Sequence, residues 1–373
     1  MKRIWLEGPV FGSAALALLA GTCSAARAEP SAALIEAAKK EGELTIIAVP
    51  HDWCRYGDVI DAFKKDYPFL KLNELNPDAG SGDEIEAVKA NKGGTGPQAP
   101  DVIDVGLSFG PSAKKDGLIQ PYKVSNWDSI PDDQKDAEGY WYGDYYGVLA
   151  FEVNKDLVKN IPADWPDLLK PEYKDQVALD GDPRTSNESI QAVFASGLSA
   201  TGGDIDKAAD AGLHFFKQLN TAGNFVPASG GASTLALGTT PIVIRWDYLA
   251  LGDRDTLKGN PDVAVVVPKT GIVAGVYVQA ISAYAPHPNA AKLWMEHLYS
   301  DASQLTWLKG YCHPARFDDL VKRNVVPAEL MQKLPPADNY AKALFPSLEQ
   351  QGMAKDTITK QWDSVVGVNV TTN

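Results

Sequence analysis

The chain has 373 residues, 45 % of them hydrophobic, and a formal net charge of −13. Nucleic acid requires a basic footprint, so this balance excludes a nucleic-acid binder, and the apolar share excludes a disordered chain. The length exceeds what one core usually supports, which predicts two lobes.

Lys2 and Arg3 precede a short apolar run from Ser13 to Gly21, and Ala26-Arg27-Ala28 offers the small-x-small pattern of a cleavage site. The run is far shorter than the ~20 residues that span a bilayer. Residues 1–28 therefore read as a signal peptide cut after Ala28, with export to the periplasm. Thr22 before Cys23 departs from a lipid-attachment box. Loss of Lys2, Arg3, Glu7 and Arg27 would move the net charge from −13 to −15. Only Cys54 and Cys312 then remain, and in an oxidising compartment two thiols are expected to pair. Two separate buried thiols are the alternative, because sequence alone does not bring their Cα atoms within ~7 Å.

Ser31 to Lys40 reads as a helix stopped at Gly42, and Leu44 to Val49 as a buried strand ended by Pro50. Val59, Ile60 and Phe63 have helical spacing. Leu70 to Leu75 alternates as a strand, a helix opens at Ser81-Gly82, and Asp101 to Val105 is a third strand. An aromatic, glycine-punctuated loop, Trp141 to Gly147, then runs into an apolar strand, Val148 to Val153. Strands at Val177–Leu179, Pro241–Ile244 and Val263–Val267 alternate with helices beyond it, and Tyr277–Ile281 reads as a return crossover. This rhythm predicts an α/β fold of two doubly wound lobes joined by a two-crossover hinge. Lobe 1 would comprise 29–147 plus 282–335, and lobe 2 148–281 plus 336–373. Ligands of such folds bind in loops beyond the strand ends. Those loops are Pro50–Gly57, Asn76–Gly82, Gly106–Gly110, Asp180–Ser186 and Arg245–Tyr248.

Several of these segments, in this order, resemble the ferric-ion, polyamine and phosphonate group of bacterial periplasmic solute-binding proteins. They are Glu41-Gly42-Glu43-Leu44-Thr45-Ile46, the Trp141–Asn154 crossover, Gly181-Asp182-Pro183-Arg184-Thr185-Ser186, Leu237-Gly238 through Trp246-Asp247-Tyr248, and Pro286 to Lys292. The resemblance implies a type II-like binding protein of an ABC importer. Such a protein is monomeric, has no cofactor and no catalytic role, and delivers a small solute to a permease with its cytoplasmic ATPase. The adjacent tyrosines of ferric-binding members are replaced here by Trp246-Asp247, leaving Tyr248 nearby. An indole face attracts a cation and a carboxylate pairs with it, so Asp52-Trp53 and Trp246-Asp247 are expected to hold an amine. The helix starts at Ser81 and Ser186, with Arg184 or Arg245, would receive an acidic group, although simple capping by the serines is the plainer reading. Tyr146, Tyr248 and Tyr277 are candidate walls, and Ser108 is a hydrogen-bond donor. The expected solute is an amine-bearing zwitterion, resembling 4-aminobutyrate or 2-aminoethylphosphonate, followed by a polyamine and then ferric ion.

Gly106-Leu107-Ser108-Phe109-Gly110 also matches the G-x-S-x-G pattern of a serine hydrolase, a weaker alternative because a short polar stretch follows it. The histidines His51, His214, His287, His297 and His313 never fall at i, i+4 spacing, and there is no cysteine cluster, so no metal site is expected.

Overall fold

The computed structural model describes residues 30–333 and 342–371. The expected signal peptide, residues 1–28, lies outside the described residues. No helix among them is long and apolar enough to cross a membrane.

The first half of the chain begins with α1 (Ala32–Glu41), capped by Ser31 and ended by Gly42 in the left-handed region. β1 (Glu43–Ile47) pairs in parallel with β2 (Lys71–Leu75) across α2 (Tyr56–Asp66). α3 (Ser81–Ala90), β3 (Val102–Gly106), α4 (Phe109–Lys115) and β4 (Ile119–Gln120) follow. The second half is built from β6 (Val177–Leu179), α5 (Asn187–Thr201), α6 (Ile205–Thr221), α7 (Ala232–Leu237), β7 (Ile242–Trp246), α8 (Asp247–Leu257) and β8 (Val263–Val266).

Two strands connect the halves. β5 (Tyr142–Asn154) pairs antiparallel with β9 (Ala274–Ser282) through Val148, then with β7 from Leu149 and β8 from Phe151. β9 pairs with β3 from Tyr277 to Ile281 and so returns the chain to the first half. There, α9 (Pro288–Leu298), α10 (Asp301–Lys309), β10 (His313–Pro314), α11 (Phe317–Lys322) and α12 (Ala328–Lys333) complete it. α13 (Leu348–Val365) crosses back to pack on α5 and α6. The aromatic stretch expected as a loop is already strand. Tyr142 and Gly143 pair with β9, and Tyr145 and Tyr146 pair with β10, around an irregularity between Gly143 and Tyr146. Backbone pairing on both sides overrides the local loop preference of its glycines.

Gly147 and Gly275 sit opposite each other where β5 changes partners. A Cβ on Gly275 would lie 2.0 Å from the Trp246 ring, and one on Gly147 2.4 Å from Tyr248. Only glycine leaves room for these rings against the crossover.

Beneath the crossover lies a buried acidic network. Tyr56 donates to Asp104 at 2.8 Å and Tyr145 to the same oxygen at 3.2 Å. Gln279 donates to Tyr56 and to Asp144, each at 2.9 Å, and Glu84 accepts the backbone N–H of Asp104 at 2.8 Å. Burial pushes Asp104 up to about 7, against the pull of the tyrosine hydroxyls, and raises Asp144 and Glu84 as well. An acid whose folded pKa is raised gives stability at low pH that is lost as pH climbs from its unfolded value through its folded one. The melting temperature should therefore fall between about pH 4 and 8, and Asp104→Asn should flatten that fall in a pH series of thermal melts. A slope identical to wild type would exclude the network as its source.

Cys54, in the loop after β1, is bonded to Cys312, after α10, with their Cα atoms 5.6 Å apart. The bond closes a loop with a sequence separation of 258. Removing a native disulfide typically costs about 2–5 kcal/mol. The Cys54→Ser, Cys312→Ser pair of substitutions should cost that much in chemical denaturation; unchanged midpoints would contradict it.

Candidate functional site

The loops after β1, β2, β3, β6 and β7 converge on the seam between the two halves. Gly82 N–H donates to the Thr185 carbonyl at 3.0 Å. Gly106 lies so close to Asn187 that a Cβ there would sit 2.0 Å from its amide carbon. The halves are thus closed on one another.

At the centre of the seam is an aromatic cluster drawn from both sides and from the crossovers. Trp53 lies edge-on to Tyr277 at 5.4 Å and tilted against Tyr248 at 6.0 Å. Tyr145 stacks on Tyr277 at 5.5 Å, and Trp246 lies parallel to Tyr248 at 6.4 Å. The Trp53 loop is held in an unusual shape, since Cys54 and Arg55 both have left-handed backbones, with φ of 49° and 60°. The disulfide at Cys54 and the Arg55–Asp58 ion pair fix it.

Beside this cluster the seam is strongly acidic. The Arg245 guanidinium, on β7, pairs with Asp180 at 2.8 Å, Glu152 at 3.2 Å and Asp253. Glu188 accepts the N–H of the next residue, Trp246. Burial raises the pKa of Asp180 and Asp253, partly offset by Arg245, and Asp52 from the opposite side of the seam raises both further. Asp78, also opposite, acts on Asp180. Burial pushes Glu152 up to about 7. A cleft of about 320 Å³ opens next to this cage, lined by Asp52, Asp58, Asp253 and Asp255 together with Arg55 and Lys309.

The expected site residues divide sharply. Asp52, Trp53, Tyr248 and Tyr277 meet at the seam. Trp246 is fully buried as packing beneath Gly275, and Asp247 accepts the Val148 N–H at 3.0 Å, so both hold the crossover in place. Arg184 does not reach the seam cluster as a free cation; Asp182 grips it through both oxygens, and Asp363 pairs with it at 3.1 Å. Ser186 caps α5. Ser81 accepts the Gly106 N–H at 3.0 Å, and Gly80 rather than Ser81 is the residue preceding α3. Tyr146 turns away to stack on His313 at 5.0 Å. Ser108 is buried with a hydroxyl that meets no hydrogen-bond partner among the described residues.

Sequence reasoning missed Asn187, Tyr145 and the carboxylates Glu152, Asp180, Glu188 and Asp253. The Asn187 carbonyl oxygen is buried and meets no donor among the described residues. Glu152 had a visible signal, a lone acid inside the apolar run Val148 to Val153. The others sit in loop or helix positions where an acid is ordinary.

Comparison with known proteins fits this geometry. The chain is 28 % identical over 249 residues to an uncharacterized protein of Haemophilus influenzae. It is 25 % identical over 209 residues to a probable ABC transporter periplasmic-binding protein of Sinorhizobium fredii. The matches cover 62 % and 54 % of this chain, and 66 % and 56 % of those relatives. In fold it is similar to the periplasmic binding protein AfuA of Actinobacillus pleuropneumoniae, solved with fructose-6-phosphate. That match has a TM-score of 0.65 and 21 % identity, over 87 % of this chain and 99 % of that one. The family model of the bacterial extracellular solute-binding proteins matches residues 98–342, and the chain belongs to that family.

Proposed function

We propose that this protein is the periplasmic solute-binding component of an ABC importer and that its solute is a small cationic amine. The observation that carries the reading is the excess of carboxylates on both faces of the seam. Glu152, Asp180, Glu188 and Asp253 surround one guanidinium, and Asp52 and Asp78 approach from the other side. Buried negative charge that outnumbers its cation is costly and is relieved by a further positive group. The adjoining cleft is of small-solute size, and Asp52, next to Trp53 in the chain, lines it.

The anionic end of a zwitterion finds less support. Arg184 and Arg245 are both committed to carboxylates, and Ser81 and Ser186 to the backbone, which ranks a diamine or polyamine above an aminophosphonate. The two jaws would be residues 29–147 with 282–335 and residues 148–281 with 336–373. They open to admit the solute and close to present one surface to a permease. No chemical step is involved; Ser108 and Asn187 serve as hydrogen-bonding groups.

A melting-shift screen of monoamines, diamines, polyamines, 4-aminobutyrate, 2-aminoethylphosphonate and ferric citrate tests the reading. An amine at 100 times its Kd should stabilise the protein by about 2.7 kcal/mol. Asp52→Asn and Trp53→Ala should each weaken that amine by roughly tenfold, the scale of a charge-assisted bond or a cation–π contact. Stabilisation by the phosphonate or the ferric salt, with none by any amine, would overturn the proposal.

A further inference from the structure

Arg245 occupies the centre of the seam's carboxylate cage. One of its terminal nitrogens meets Glu152 and Asp253, and the other meets Asp180. The guanidinium is nearly enclosed, and among the described residues its Nε has no acceptor and the second oxygen of Glu152 has no donor. Three carboxylates from three elements, β5, the loop after β6, and α8, therefore converge on a group that an ion could replace. Hard cations of charge two or three are held by such oxygen sets, at about 2.0–2.6 Å from each oxygen. Asp253 also lines the 320 Å³ cleft, so the cage has a route to solvent. With the guanidinium between them, these acids form no metal-holding group, and none is found among the described residues.

We infer that Arg245 is a specificity-determining residue: it serves as a built-in counter-cation that keeps hard metal ions out of the cage and leaves the cleft to organic solutes. An arginine suits this role because its charge is permanent and its planar head satisfies several carboxylates at once. A lysine would keep the charge but present a single nitrogen. The inference concerns the cage alone and does not depend on which solute the cleft takes, so a failed amine screen would leave it standing.

Terbium(III) alone, detected by emission sensitised through the neighbouring tryptophans, provides the probe. Wild-type protein should give only the background expected of its exposed acids. Arg245→Met should give saturable emission at one ion per chain, at least about tenfold above wild type at equal concentration. Adding Asp253→Asn should remove most of that gain, and Arg245→Lys should stay at the wild-type level. If Arg245→Met folds only in the presence of terbium, as read by circular dichroism, the inference is supported. The neutral polar variant Arg245→Gln, which keeps all three carboxylates, then gives a second reading. Equal emission from wild type and Arg245→Met, or a folded Arg245→Gln variant with no saturable emission, would overturn it.

Discussion

The architecture depends on one antiparallel pairing, that of β5 with β9. Each strand begins in one half of the molecule and ends in the other, and β5 changes partners at Val148, from β9 to β7. Gly147 and Gly275 face each other at that point because Trp246 and Tyr248 pack directly against their backbones. Asp247 supports the same place by accepting the Val148 N–H. Close packing at the bridge sets where the second half stands, and so which loops meet across the seam. Trp53 can touch Tyr248 and Tyr277 only because those residues are carried by β7, α8 and β9 to the bridge itself.

Two buried acidic groups lie on either side of this bridge, and they are managed differently. Beneath the crossover, Asp104, Asp144 and Glu84 are surrounded by hydroxyls, an amide and backbone N–H groups, and burial raises all three pKa values. Such a group stays neutral by keeping protons. At the seam, burial also raises Asp180, Asp253 and Glu152, but Arg245 partly offsets it, and the same carboxylates raise the pKa of Arg245 against the opposing effect of its burial. The first arrangement suits a structural core. The second, built around a permanent cation, lies beside the cleft that Asp253 lines.

Much of the fold was legible in the sequence, because strand and helix periodicities are local. The positions of β1, β2, β3 and β9, and the loops that reach the seam, follow from apolar runs ended by Gly, Pro and Asp. The aromatic stretch before Val148 was misread because its strand character comes from partners more than a hundred residues away, β9 and β10. The seam was only half legible. Trp53 and Asp52 stand out as an unusual pair in a loop, whereas Trp246-Asp247 has the same composition and a supporting position, a difference set by its burial under Gly275. Arg184 looked available although Asp182, two residues before it, is its main partner; only the second partner, Asp363, comes from far along the chain.

The central claim is that the solute enters and leaves by parting the halves at this seam. Gly82 and Thr185 face each other across it, and a Cβ on Gly82 would lie 3.3 Å from that of Thr185, close to the ~3.5–4.5 Å that a disulfide requires. Solute binding by a Gly82→Cys, Thr185→Cys variant, measured before and after oxidation of the new pair, is the most direct test. Oxidation of the empty protein should abolish uptake, and oxidation of the loaded protein should block release, each reversed by mild reduction. Equal binding and release in the oxidised and reduced states would contradict the account.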